Sequence, residues 1–517
     1  MKMKKQFNVK IYVLSLVAMM TLGSCSNLEI EGTDSIIKGA LIFEGVADPA
    51  GALDGIYGGT FGMLGDQANF FALNEVTTDE TLVPTRGSDW SDNGNWRVLH
   101  AHTWKKDHGY LITTWNQLNE RVFKATEIID PLSSSTTQQV AEAKFLRAFN
   151  MYFVLDFWGQ APFRNATDAA SIDPIVMNAS EAYTFILNDL NDAISGLPTV
   201  SPSAQTNRAS KAAANFLKAK VILNSERYTG TPPNYADVIS AVDAIGGDGF
   251  ALQAGYFELF YPTVDNETIW YGEIGIGSRI WNGLHYNQVS PDHGGGGWNG
   301  FSTLAEFYDL FEGASNTNYV GDGQEERRGW VPDAITANAQ NSGIGYGMLV
   351  GQQYNNSGDK LKDRAGNDLV FTKALSLANS TESNGVRVIK YHPFDGSDPG
   401  QSFRSHEIIF RYSDAHLMKA EAMLRNGGSA TALVNELRTL RGATALASVS
   451  ESDLIDERGR ELYVEQWRRN DLLRFNKFTK DWEHKDAAAI GNSDRRLYPI
   501  PLAAIISNPN LVQNPGY

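Results

Sequence analysis

The chain contains a single cysteine, Cys25, in 517 residues. One cysteine rules out an internal disulfide and any metal site built from several cysteines. The folded state must therefore be stabilised by a buried apolar core, and hydrophobic residues make up 42% of the sequence, which is ample for one. The length suits a large, elaborated domain.

The position of Cys25 indicates a lipid anchor. The chain opens with a basic segment and continues with an apolar stretch that is too short to be a convincing membrane span. The run Leu22-Gly23-Ser24 then precedes the cysteine, as in the lipobox of bacterial lipoproteins. We predict a signal peptide over residues 1–24, lipidation of Cys25, and an anchor and tether over residues 25–39. The alternative is an ordinary signal peptide followed by an incidental cysteine.

The net charge limits the partners of the protein. The formal charge is −16, and removal of residues 1–24, which hold four lysines and no acidic residue, would make it −20. Such a surface repels phosphate backbones, so we expect no nucleic acid partner. Anionic polysaccharides are disfavoured for the same reason, although a local basic groove could override the net charge.

Apolar spacing predicts several amphipathic helices. The clearest lies over residues 141–153, where Phe145, Phe149 and Tyr152 recur at positions i, i+4 and i+7. Gly159 should end it. Further helices are expected over about 181–194, 211–224, 412–425 and 430–440, the last two joined by Asn426-Gly427-Gly428 with Ser429 as the N-cap.

These helices fall into two blocks, over residues 40–230 and 406–480. Residues 231–405 lie between them, are rich in Gly, Asn, Asp, Trp and Tyr, and indicate loops and short strands. Because no linker separates the blocks, we predict a single, mainly α domain over residues 40–517 with a large, irregular, loop-rich insertion. The helical hairpin near the C-terminus is of the tetratricopeptide type.

Motifs for phosphate binding, dinucleotide binding and serine nucleophiles are absent from the sequence. His100 and His102 could ligate a metal from one face of a strand, but no third ligand is evident, so a place at the surface or core edge is the better interpretation. The run Glu325-Glu326-Arg327-Arg328 is most simply a solvated charge run. We therefore predict no cofactor, no metal and no catalytic activity.

Three stretches resemble the SusD/RagB family. They are AEAKFLRAFNMYFVLDFWGQAPF at residues 141–163, EIIFRYSDAHLMKAEAML at 407–424 with LVNELRTLRGA at 433–443, and DERGREL at 456–462 with WRRNDLLR at 467–474 and the tail ending in NPGY. The resemblance implies tetratricopeptide-type helix pairs, a cell-surface lipoprotein of the outer membrane, and a SusC-type TonB-dependent transporter as partner. The charged residues of the third stretch lie at helical spacings suited to structural ion pairs: Glu457, Arg458, Glu461, Arg468, Asp471 and Arg474.

Two loop segments are candidates for binding a sugar. Proteins bind neutral sugars with aromatic rings against the C–H faces and planar polar side chains at the hydroxyl edges, and such side chains should be exposed on loops. The first segment supplies Arg86, Asp89, Trp90, Asp92, Asn93 and Trp96, and the second supplies Trp281, His285, Tyr286 and Trp298. Trp90 and Trp281 are the strongest candidates, whereas packing onto helices is the alternative for Trp96 and Trp298. The tryptophans expected in the core are Trp104, Trp115, Trp158, Trp270 and Trp467.

The leading hypothesis is non-catalytic binding of a neutral oligo- or polysaccharide, of glucan or fructan type, for delivery to the transporter. A glycoside hydrolase is the first alternative, with Asp89 and Asp92 as carboxylates beside the aromatic residues. The second alternative is a helical-repeat adaptor of the transporter that does not contact glycan.

Overall fold

The computed structural model describes residues 43–204, 206–261, 263–288, 296–334, 343–391 and 406–517. Residues Glu44–Asp168 and Asp173–Tyr517 form one compact unit. The signal peptide, Cys25 and the tether lie outside the described residues. Those predictions, and the division into one domain with an insertion, stay predictions.

Helices dominate the regular structure, which confirms the mainly α fold class. The helices are Pro49–Gly65, Asn69–Glu75, Asn95–His100, Gly109–Ile129, Thr137–Trp158, Ala179–Gly196, Lys211–Leu223, Ser225–Thr229, Tyr235–Gly247, Gly277–Gly283, Ala305–Tyr308, Tyr412–Arg425, Thr431–Leu440, Glu451–Leu462, Arg468–Arg474 and Leu502–Ser507. Among the described residues, none of the helices combines the length and apolarity needed to cross a membrane.

The longest helix, Thr137–Trp158, begins and ends where its sequence dictates. Thr136 and Gln139 form a capping box at its start, and Gly159 closes it with a φ of 71°. From Phe145 onward every residue of this helix is buried, because neighbouring helices cover it on several sides. The predicted end at Gly159 is confirmed, and the helix begins four residues earlier than predicted.

Successive helices pack against one another in pairs. Thr137–Trp158 lies between Gly109–Ile129 and Ala179–Gly196, and Tyr235–Gly247 packs on both Lys211–Leu223 and Tyr412–Arg425. This arrangement agrees with the tetratricopeptide-type pairing that the sequence indicated.

The strands form small antiparallel sheets. Gln160–Phe163 pairs with Ile175–Asn178, Thr268–Gly272 with Glu407–Arg411, Tyr346–Leu349 with both Gly329–Trp330 and Arg387–Ile389, and Gly351–Gln352 with Val370–Phe371. Most of these strands lie in the predicted loop-rich region.

The boundaries of the predicted blocks differ from the structure in three places. Tyr235–Gly247, in the predicted loop-rich region, is helical, because Val238, Val242 and Ile245 form a buried stripe. Glu407–Arg411, in the predicted helical block, is a strand, and all five residues are buried. The helix Thr431–Leu440 has Ala430 rather than Ser429 at its N-cap.

The core is rich in aromatic rings. The Trp270 ring lies 5.1 Å from Phe145 and 5.2 Å from both Phe149 and Phe410, which joins the long helix to the strand Glu407–Arg411. Trp104, Trp115, Trp158, Trp270 and Trp467 are each at most 5% exposed, as predicted.

His100 and His102 are fully buried, deeper than the surface or core edge predicted for them. The Nε2 atom of His102 lies 2.8 Å from the Thr77 carbonyl oxygen, and Nε2 of His100 lies 2.9 Å from the Glu483 carbonyl oxygen. Burial lowers the pKa of His100 to about 4, so this ring is neutral at physiological pH. Within the described ranges, no group of three potential metal-ligating side chains occurs.

The charged residues of the third family stretch form buried ion pairs, as predicted. The Glu461 carboxylate lies 2.6 Å from Nη1 of Arg411 and 3.0 Å from Nη2 of Arg441. Further pairs of this stretch include Arg458 with Asp414 and Asp471, Arg468 with Asp79, and Arg474 with Glu421 and Asp471.

The prediction of a solvated charge run at residues 325–328 is wrong. Glu325, Arg327 and Arg328 are each at most 1% exposed. Arg327 pairs with Glu325 and with Glu457, at 2.7 Å for the latter, because the helix Glu451–Leu462 covers the run. Burial alone would raise the pKa of Glu457, but its neighbouring guanidinium groups lower it to about 2.

A buried pair of carboxyl groups supports an unusual backbone segment. Val464 and Gln466 have φ values of 53° and 70°, a region that residues with a Cβ rarely adopt. Their amides donate hydrogen bonds to Glu80 and Glu75, respectively. The second oxygen of each carboxyl finds no donor among the described residues, so the two groups fit best when they share a proton. Burial raises the pKa of both carboxyls, that of Glu80 to about 7.

Replacing Glu80 by glutamine should therefore change how stability depends on pH. A carboxyl whose pKa is raised on folding stabilises the fold fully below about pH 4.5 and loses that contribution as the pH rises through about 7. A glutamine side chain imitates the protonated acid at every pH. The free energy of unfolding of the variant minus that of the native chain should therefore increase by roughly 2–3 kcal/mol when the pH is raised from 5 to 8.

Urea unfolding of both proteins at the two pH values measures this gain. Glu436→Gln, a change of the same kind at a residue whose side chain is 61% exposed, controls for the loss of one charge. A difference between Glu80→Gln and the native chain that does not vary with pH would contradict the shared proton.

Candidate functional site

The first predicted segment forms a tight turn followed by a strained loop. Arg86 and Asp89 exchange two backbone hydrogen bonds of 3.0 Å, which closes a two-residue turn. Trp90 follows with a φ of 58°, and Asp92 and Asn93 also have positive φ values, of 34° and 51°. Left-handed conformations cost free energy in residues with a Cβ, and they concentrate at functional sites. The strained backbone holds Trp90 at a defined position over the second segment.

The second predicted segment folds back on itself and meets the first. The Trp298 amide donates to the Trp281 carbonyl oxygen at 2.6 Å, so the returning chain lies beside the helix Gly277–Gly283. Nε1 of Trp90 donates to the Trp298 carbonyl oxygen at 2.7 Å. A Cβ atom at Gly300 would lie 2.7 Å from Cε2 of Trp90, so only glycine allows this approach. The structure thus brings both segments together.

A third segment completes the cluster with Arg364 and Glu382. Nη2 of Arg364 donates to Asp89 at 2.7 Å, and the guanidinium lies 3.9 Å from the centre of the Tyr286 ring. The Tyr286 hydroxyl donates to the same Asp89 oxygen at 2.7 Å. Arg364 also pairs with Glu382, which lies 3.1 Å from Nε2 of His285. We call Asp89, Trp90, Trp281, Tyr286, Trp298 and Arg364 the aromatic surface.

Two buried arginines hold the loops beneath the aromatic surface. Arg86 donates to the carbonyl oxygen of Asn299 at 2.9 Å and of Asn384 at 2.8 Å. Arg387 donates to Oδ1 of Asn299 at 2.8 Å, and both arginines donate to the Ser302 hydroxyl at 2.8 Å. Burial lowers the pKa of Arg86 to about 9, and it also lowers that of Arg387. These guanidinium groups therefore fix the loops to one another.

The exposure of the predicted aromatic residues separates those that can touch a ligand from those that cannot. Trp298 is 41% exposed, and Trp90, Trp281 and Tyr286 are half-buried. The expected exposure of Trp96 is wrong, since it is only 2% exposed. It packs against Tyr110 and Phe301, the packing that was its alternative.

The predicted polar residues divide in the same way. Asp92 and Asn93 are exposed, and Asp92 accepts a 2.9 Å hydrogen bond from Nε1 of Trp96. Asp89 is half-buried within the network described above. The expected exposure of Arg86 and His285 is wrong, because Arg86 is 3% and His285 is 0% exposed. Both support the loops from below.

The electrostatics of the aromatic surface suit binding better than hydrolysis. Hydrogen bonds from Tyr286 and Arg364 lower the pKa of Asp89. Burial opposes the ionisation of Glu382, but the bonds from Arg364 and His285 still lower its pKa. A glycoside hydrolase needs one carboxyl with a raised pKa as general acid. Asp89 and Glu382 are both held as carboxylates, which can accept hydrogen bonds from sugar hydroxyls.

Sequence reasoning did not find Arg364, Glu382 or Arg387 as parts of this site. Arg364 lies in a turn that is closed by a backbone hydrogen bond between Asp363 and Asn367. Such a turn indicates a tight loop and gives no sign of a binding site. Because it is 275 residues from Asp89, a single sequence gives no signal that the two are neighbours.

Comparison with known proteins places the chain in a family. Residues 266–517 match the model described as the SusD family, and residues 60–223 match the model described as starch-binding associating with outer membrane. The chain is 29% identical to the starch-binding protein SusD of Bacteroides thetaiotaomicron, with 100% of both chains covered. The chain belongs to the SusD/RagB family. Members of the SusD/RagB family are non-catalytic glycan-binding proteins.

Solved structures of SusD-like proteins share the fold. A SusD-like protein from Bacteroides fragilis matches with a TM-score of 0.70 at 20% identity, over 94% of this chain and 99% of that one. A laminarin-binding SusD-like protein matches with a TM-score of 0.66 at 20% identity, over 92% and 100%. The SusD/RagB fold therefore extends over nearly the whole chain.

Proposed function

We propose that the protein binds a neutral oligo- or polysaccharide at the aromatic surface and does not cleave it. This proposal rests on the hydrogen bonds that join the exposed Trp298 to the half-buried Trp90 and to the backbone of Trp281. Asp89, next to Trp90 in the chain, is in turn bonded to Tyr286 and Arg364. Indole and phenol rings offer apolar faces to the C–H groups of a sugar. The flanking carboxylate and guanidinium offer acceptors and donors to its hydroxyls.

The charges of the surface support a neutral ligand. Asp89, Asp92 and Glu382 lie there, and the cation Arg364 is already paired with Asp89 and Glu382. The whole chain carries a net charge of −16. An anionic polysaccharide would therefore meet repulsion. Among neutral glycans we propose the glucan or fructan type, and the names of the starch-binding and laminarin-binding relatives support testing glucans first.

Titration of the purified protein with soluble starch, laminarin and inulin tests this proposal, with polygalacturonate as the anionic control. We expect binding to at least one neutral glycan, no binding to polygalacturonate, and no new reducing ends after prolonged incubation. An adaptor of the transporter would bind none of the four, and a glycoside hydrolase would release reducing ends. Either result would overturn the proposal.

We further propose that the protein is a lipid-anchored, surface-exposed outer-membrane protein that delivers glycan to a SusC-type TonB-dependent transporter. The lipobox-like run before Cys25 supports the anchor, and the family description of association with the outer membrane supports the location. The neighbouring genes, and co-purification with a transporter of this type, test the partner.

Replacing Cys25 by alanine should release the protein from the outer membrane. Stable anchoring needs more than one acyl chain, which a multiply acylated cysteine would supply and alanine cannot. Membrane fractionation of cells that express the variant measures the effect, with Ser26→Ala as the control. Outer-membrane fractionation that is unchanged in Cys25→Ala would contradict the anchor.

A further inference from the structure

Two adjoining clefts lie away from the residues of the aromatic surface. The larger has a volume of about 510 Å³ and the smaller of about 210 Å³, and both are lined by Glu226, Arg227 and Arg496. Arg425 and Arg474 complete the cationic lining of the smaller cleft. Four arginines and one glutamate therefore face a small space in a chain whose net charge is −16.

Arg496 is the unpaired cation of this group. Its side chain is half-buried and forms neither a hydrogen bond nor an ion pair with any other residue that the structure describes. Burial, together with the nearby charge of Arg227, lowers the pKa of Arg496. A guanidinium offers five donors in a planar fork, and a half-buried one without an acceptor is a ready site for an anion.

Arg425 supplies a second set of unused donors. Its side chain is 11% exposed and lies 3.2 Å from Glu421 and 3.3 Å from Glu451. In neither pair is the geometry that of a hydrogen bond, and Nε and Nη2 of Arg425 are buried without an acceptor among the described residues. Glu421 instead accepts two hydrogen bonds of 2.9 Å from Arg474.

The buried carboxylates do not balance these cations. Arg227 and Arg469 share Asp156, and Arg425 and Arg474 share Glu421. Arg474 also pairs with the buried Asp471, which it shares with Arg458, so with Arg496 five arginines face three buried carboxylates. The exposed Glu226 and Glu451 offset the remaining charge, and Arg496 is the arginine of this set that pairs with no carboxylate among the described residues. Asp494 lines only the larger cleft.

We propose that the smaller cleft binds a phosphate-type oxyanion through Arg496 and Arg425. The volume admits one such group with water, and arginine forks match the oxygen atoms of phosphate in pairs. Inorganic phosphate and the phosphate of a membrane lipid headgroup offer the same chemistry. The proposed phosphate site shares no residue with the aromatic surface. An experiment can therefore contradict one of the two proposals and leave the other unaffected.

Calorimetric titration of the purified protein with inorganic phosphate at constant ionic strength tests the site. We expect saturable binding that weakens by about 10–100-fold in Arg496→Gln, the loss expected for a charge-assisted pair of hydrogen bonds. Because Arg496 makes no internal side-chain bond with the described residues, the variant should fold, and its melting curve verifies this. Lys105→Gln, the same charge change at an exposed residue outside both clefts, should bind phosphate normally.

A second arm distinguishes the two sources of phosphate. Sedimentation with phosphatidylcholine vesicles, with and without phosphatidic acid, reports binding to a lipid headgroup. Arg496-dependent sedimentation with phosphatidic acid identifies the lipid as the source, and phosphate binding without it identifies the free ion. The proposal would be overturned if the native chain neither bound phosphate nor sedimented with phosphatidic acid. Equal phosphate binding by Arg496→Gln and the native chain would also overturn it.

Discussion

Truncation of Trp298 to alanine should weaken glycan binding by about one to two orders of magnitude and leave the melting temperature unchanged. A sugar ring stacked on this indole buries ~60–100 Å² of apolar area, worth roughly 1.5–2.5 kcal/mol at about 25 cal/mol per Å². The side chain is 41% exposed, so its loss leaves little cavity in the free protein. Calorimetric titration alongside thermal melts measures both quantities.

Trp90 and Trp281 are the strongest candidates from the sequence. In the structure, Trp90 differs from Trp298 because its side chain also makes contacts within the protein. Trp90 donates a hydrogen bond to the Trp298 carbonyl oxygen and packs on Gly300, so its truncation should lower affinity and stability together. Ile506→Ala, which truncates another apolar side chain that is 75% exposed, should change neither quantity. Full affinity in Trp298→Ala would show that the binding site lies elsewhere.

Replacement of Glu461 by glutamine should lower the free energy of unfolding by about 3–5 kcal/mol. The Glu461 carboxylate is 0% exposed and accepts from Arg327, Arg411 and Arg441. These guanidinium groups hold the pKa of Glu461 well below its usual range, although burial opposes them. Glutamine removes the charge and turns an amide donor toward the arginines, and removal of one partner from a buried network is costly.

Urea unfolding at neutral pH measures the change, and an exposed pair in the same chain provides the control. Glu120 lies 2.6 Å from Lys124 on the helix Gly109–Ile129, and their side chains are 57% and 54% exposed. Glu120→Gln should cost at most about 0.5 kcal/mol, because solvent screens exposed pairs. Similar losses in the two variants would contradict a structural role for the buried network.

The sequence was most informative where local pattern decides the structure. The helix Thr137–Trp158 was predicted from its apolar spacing and from Gly159, since both act within a few residues of the chain. The ion pair between Asp471 and Arg474 was expected because the two residues lie three positions apart on one helix. Both features depend little on distant parts of the chain.

The sequence was least informative where distant residues decide the environment. Arg86 was expected at the surface but is buried. It donates hydrogen bonds to backbone carbonyl oxygens that lie more than 200 residues away in the sequence. Because every residue type has a backbone carbonyl, the sequence does not indicate which of them will meet Arg86. The run at residues 325–328 was misinterpreted because Glu457, which pairs with Arg327, lies 130 residues further on. Of the candidate site, the two loops were predicted and their joining through Arg364 was not.

The crystal structure of the protein with the neutral oligosaccharide that it binds most tightly would show whether glycan lies on the aromatic surface. We expect a sugar ring over the indole of Trp298, with carbon atoms within about 4 Å, and hydroxyls directed at Asp89 and Arg364. A glycan bound at another surface, with the Trp298 indole free, would contradict it.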